Sequence, residues 1–98
     1  MLGKGVMFKI TMIAGGISTT AGPEAAKDIE QHFREERTWH QQVSCSFNDG
    51  VLTLVAVNDY DEDGLALSDE FSDCLSAFIR LGEISDEGAF EVVSVETV

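Results

Sequence analysis

Residues 42–57 read Q-V-S-C-S-F-N-D-G-V-L-T-L-V-A-V, and this stretch decides the fold. Val43, Cys45 and Phe47 alternate with Gln42, Ser44 and Ser46, the period of a strand with one face buried. Asn48-Asp49-Gly50 is a tight hairpin signal. Val51 to Val57 is apolar on both faces, as a central strand is. A half-polar strand turning tightly into an apolar one predicts an edge strand hydrogen-bonded to an interior strand.

Working outward from that hairpin, each side carries one helix and one further strand. Upstream, Val6, Phe8, Ile10 and Met12 alternate with Met7, Lys9 and Thr11, a strand over Val6 to Ile13. After the connection A-G-G-I-S-T-T-A-G (Ala14 to Gly22), Pro23 suits the first turn of a helix, where its missing N–H costs nothing. That helix runs to about Arg37, with Ala26, Ile29 and Phe33 as its apolar stripe and Glu30–Arg34 as an i,i+4 ion pair. Downstream, a second helix is expected from near Ser68, with Ser68 as its cap, to Gly82 as a C′ glycine. Leu67, Phe71, Cys74, Leu75 and Phe78 mark its buried face, and Ala89 to Val98 forms the last strand.

The order β-α-β-β-α-β over one domain, residues 1–98, predicts a ferredoxin-like α+β fold. Its four-stranded antiparallel sheet has the first and third strands in the middle and both helices on one face. With Leu52, Leu54 and Ala56 turned toward the helices, Val51, Val55 and Val57 face the other way. Beside them lie either Val93 and Val95 or Phe90 and Val92, depending on the register of the last strand. Such a face is more apolar than a monomer ordinarily exposes, and a second copy across a two-fold axis is the simplest cover. The alternative cover is the C-terminal tail or the long first loop. Val51, Val55, Val57, Val93 and Val95 are therefore the candidate interface of a homodimer.

A formal charge of −12, from 18 acidic and 6 basic residues, disfavours nucleic acid and anionic membrane as partners. It favours a basic protein or a cation, with the acidic stretch Asp59 to Asp73 as the surface that would steer a basic partner. Cys45 and Cys74, without C-x-x-C spacing, are expected as reduced core thiols of a cytoplasmic protein. Neither a cleavable leader nor a membrane-spanning run is expected.

One segment has ligand-like spacing. Residues 59–70, D-Y-D-E-D-G-L-A-L-S-D-E, match D-x-[DN]-x-[DN]-G-x5-E and over that length resemble the loop of an EF-hand. The resemblance implies Ca2+ held by the carboxylates of Asp59, Asp61, Asp63 and Glu70 and the backbone carbonyl of Leu65. A strand precedes the loop where an EF-hand has a helix, and Leu67 stands where a polar residue is expected. The competing reading is a solvated turn whose carboxylates favour the N-terminus of the second helix.

Enzyme signatures are weak. The loop from Ala14 to Gly22 has glycines but neither a phosphate-binding lysine nor G-x-G-x-x-G. Acylphosphatases share this strand order but place an arginine in that loop, and residues 14–22 contain none. His32 and His40 are expected as partly exposed residues outside any catalytic motif, and Trp39 as a partial core anchor. A pocket on the open sheet face would need a titratable group, for which Lys9 is the candidate. The sequence thus points first to a small acidic non-enzymatic domain acting by protein association, then to a calcium-binding module, then to a dimeric enzyme.

Overall fold

The computed structural model describes residues 6–85 and 87–98. The elements run β1 (Phe8–Ala14), α1 (Gly22–Glu36), β2 (Gln41–Asn48), β3 (Val51–Asn58), α2 (Leu65–Phe78), a single 3-10 turn (Leu81–Glu83) and β4 (Phe90–Thr97). All strand pairings are antiparallel, and the sheet order is β2-β3-β1-β4. The ferredoxin-like α+β arrangement is therefore realised, with β1 and β3 in the middle. No described helix is long and apolar enough to cross a membrane.

The alternation in residues 42–57 works as read. Leu52, Leu54 and Ala56 are fully buried, and Val43 and Cys45 join them beneath α1. Asp49 and Gly50 both have positive φ, the two-residue turn whose backbone twist matches that of its strands. Ile29 and Phe33 of α1 and Leu67 and Phe71 of α2 close the same core over Ile10 and Met12. Burying side chains of this size contributes about 1.5–3 kcal/mol each.

Element ends differ where tertiary contacts decide them. The first strand begins at Phe8, not Val6, whose side chain is exposed. Helix α2 begins at Leu65, three residues before Ser68, because the Asp61 carboxylate caps it from the loop. It ends at Phe78 with Ile79 extended, so Gly82 lies in the 3-10 turn and is no C′ residue. Gly64 carries the positive φ (80°) that opens α2, and a Cβ there would lie 2.9 Å from Val92 Cγ2.

The register of β4 follows neither expected alternative. A bulge between Thr11 and Met12 places Val92 opposite Met12 but Ser94 opposite Thr11. Phe90, Val92 and Val95 consequently share the helix-covered side, where Val92 and Val95 pack on the core. Val95 is thereby withdrawn from the open face, whereas Val93, at the bulge, is 55% exposed.

Both sheet edges are blunted. On β2, Cys45 N–H donates to Glu30 Oε1 (2.8 Å) and the Val43 carbonyl accepts from Arg34 Nη2 (3.0 Å). The ion pair Glu30–Arg34 on α1 (3.2 Å) thus occupies backbone groups that would otherwise await another strand. On β4 the bulge and the charges of Glu91 and Glu96 interrupt the edge.

Candidate association surface and the buried His40 network

Three rows of side chains cross the open side of the sheet. They are Ser46–Thr53–Ile13–Glu91, Ser44–Val55–Thr11–Ser94 and Gln41–Val57–Lys9–Glu96. Val51, opposite Asn48, extends the face toward the hairpin. Ile13, Val51 and Val55 are half-buried, so each retains surface for a partner. Val57 is only 3% exposed within the single chain and keeps little surface for a partner. Ile13, not singled out from sequence, takes its place at the centre of the sheet. Small aliphatic and hydroxyl side chains dominate the rows; charge enters them only as Lys9, Glu91 and Glu96. Lys9 is exposed and registers opposite Glu96, so it faces a carboxylate and solvent.

The acidic segment 59–70 folds differently from a cation cage. Asp61, 4% exposed, spends both carboxylate oxygens on α2: Oδ1 accepts from Ala66 N–H (3.1 Å) and Oδ2 from Leu67 N–H (2.9 Å). Asp63 Oδ1 accepts from Leu65 N–H (3.1 Å). Leu65 is the exposed first residue of α2, and Asp59 points to solvent. Glu70 turns away toward His40 and Arg37. Among the described residues no group of three or more His, Cys, Asp or Glu side chains is placed to hold a metal. The carboxylates satisfy orphan helix N–H groups and the positive end of the helix dipole. In this arrangement the five residues expected to hold Ca2+, Asp59, Asp61, Asp63, Leu65 and Glu70, are not gathered around one point, and Asp61, Asp63 and Glu70 have protein partners instead.

His40, expected to be partly exposed, is buried at the start of β2. Its Nε2 lies 2.5 Å from Glu70 Oε1, and its Nδ1 lies 3.3 Å from Asn58 Nδ2. Asn58 is fully buried, and its Oδ1 accepts from Tyr60 N–H (3.1 Å) and Asp61 N–H (2.9 Å). Those two donors fix the amide so that Nδ2 faces His40. Nδ1 must then accept, which assigns the His40 proton to Nε2, donating to Glu70. Arg37 Nη1 reaches the other Glu70 oxygen at 3.4 Å, and its guanidinium lies 5.9 Å from the Phe33 ring centre. The network ties α2 to the α1–β2 junction and to the end of β3. Its imidazole is closed to solvent, and the network acts as a structural clasp.

Trp39 and Tyr60 flank this clasp, each 48% exposed, with Tyr60 stacked 6.3 Å from the His40 ring. Partial burial, followed by the Glu70 carboxylate, raises the Tyr60 phenol above its usual range. Trp39 is therefore more surface than core. No local signal reveals the clasp, because Asn58 and Glu70 stand 18 and 30 residues beyond His40.

Cys45 and Cys74 are both free and buried. Burial, with Glu30 nearby, pushes the Cys45 thiol up to about 12. Burial likewise raises Cys74, to about 11, with Arg37 partly offsetting it. Both are packing thiols whose raised values disfavour the reactive thiolate near neutrality. No protein-family model, no curated protein and no solved structure matches this chain.

Proposed function

We propose that this protein is a non-enzymatic association module whose open sheet face packs against a second copy of itself. The observation that carries the reading is the uncharged centre of that face, where half-buried Ile13, Val51 and Val55 keep surface beside Thr11 and Thr53. In a chain of formal charge −12, the charges of this face lie on the β4 edge strand, as Glu91 and Glu96, and at Lys9 opposite Glu96, leaving Ile13, Val55, Thr11 and Thr53 uncharged between β1 and β3. Like-charge repulsion opposes close self-contact wherever carboxylates meet, and the centre of this face places none there. Both edges are blunted by Glu30–Arg34 and by the β4 bulge, so pairing face to face is favoured over extending the sheet. A two-fold arrangement covers the exposed Val93 as well as Val51 and Val55. The unpaired thiols accord with a reducing compartment, and we place the protein in the cytoplasm on that ground.

Sedimentation velocity at micromolar concentration tests the proposal. The expected species has twice the 10.6 kDa chain mass. Val55→Asp, which puts a charge into the middle row, shifts it to a folded monomer. A wild-type protein sedimenting as a single chain at that concentration overturns the reading.

A further inference from the structure

The opposite face of the molecule offers a second surface of different chemistry. Helix α1 packs mainly on β2 and only lightly against α2, leaving a trough between the two helices. Three hollows of about 390, 210 and 160 Å³ lie along it, and Phe78 lines all three. We propose that this trough docks a basic amphipathic helix of another protein, anchored on Phe78.

Three features support that occupant. The floor has an apolar anchor: Phe78 is 39% exposed at the end of α2, its ring 5.7 Å from that of His32, and it lines the smallest hollow with Ala77 and Cys74, whereas the largest hollow is mixed in polarity. The rim is acidic, formed by Glu24, Asp28, Glu35, Glu36, Asp73 and Glu83. Two basic side chains enter the trough, Arg80 and Arg37, and Arg37 is already engaged by Glu70. The hollows follow α1 from Thr20 to Arg37, and a helix of α1's 15 residues is about 22 Å long, room for about four turns of a partner.

An apolar stripe on the floor with lysines or arginines toward the rim satisfies both features at once. A small cation would leave the apolar anchor uncovered. A second copy of this chain would bring acid to acid, and nucleic acid would do the same. The surface shares no strand residue with the open sheet face, so the two proposals stand separately.

The probe is a fluorescently labelled synthetic peptide about four turns long, with leucines at helical spacing and lysines elsewhere. A scrambled peptide of identical composition is the control for bulk electrostatic attraction. Fluorescence anisotropy is expected to give the patterned peptide about tenfold tighter binding than the scramble. Phe78→Ala, at an exposed position, should erase that preference, and Glu35→Lys with Glu36→Lys should weaken both peptides. Val55→Asp should leave the preference intact. Equal affinity for the two peptides, or a preference that survives Phe78→Ala or disappears in Val55→Asp, overturns the proposal.

Discussion

Asp61 is accommodated at 4% exposure because two amides at the start of α2 point at its oxygens. Removing the carboxylate leaves the Ala66 and Leu67 N–H groups without their acceptor in a buried site. Asp61→Ala should therefore destabilise the fold by about 2 kcal/mol. Asp59→Ala, at an exposed position, should stay within about 0.5 kcal/mol. Urea denaturation of the two variants checks the contrast, and equal losses would contradict the capping role. Since Asp61 and Glu70 already have protein partners, millimolar calcium should leave the melting temperature of the wild type unchanged. A rise that Asp59→Ala abolishes would reinstate the metal site.

Between elements, the thiols report how tightly α1 and α2 close on the sheet. Cys45 on β2 rises from 9.0 to about 12, and Cys74 on α2 from 9.0 to about 11. As pH climbs past about 9, the unfolded chain releases these protons first. The folded state then holds more protons than the unfolded one, and stability falls with pH until the folded values are passed. The double variant Cys45→Ala/Cys74→Ala should accordingly lose less of its urea midpoint between pH about 8 and about 10.5 than the wild type. Parallel losses would mean the thiols are open to water. Boundaries at this scale were legible from residue pattern only in part. Pro23 marked the entry to α1 within one residue, since its local geometry suffices. The start of α2 escaped because its cap is not Ser68 but Asp61, an aspartate earlier in the loop.

For the whole molecule, charge sets how association responds to solvent. Two chains of −12 brought together repel at long range, while the contact proposed for the sheet face is apolar at its centre. Raising salt should therefore tighten the dimer, because screening weakens the repulsion and leaves the buried contact unaffected. The same salt should weaken the basic-helix complex in the α1–α2 trough. Dimer dissociation measured by sedimentation across a salt series checks the sign, and a dimer that falls apart in salt would place the contact on charged surfaces. Opposite responses of two surfaces on one small protein follow from the helices carrying the trough's carboxylates while the centre of the sheet face carries none.

Strand and helix types, their order and the burial of Leu52, Leu54 and Ala56 follow from residue pattern alone, because alternation and helical stripes are local consequences of backbone geometry. The hairpin at Asp49-Gly50 does too, since its φ values belong to the turn residues themselves. Only the tertiary structure decided the side of the sheet taken by Val95, which depends on a one-residue bulge, and the enclosure of His40 by Asn58 and Glu70. It also decided the fate of the acidic loop: whether a carboxylate faces a cation or a helix end depends on the direction of the chain beyond it, and spacing carries no direction.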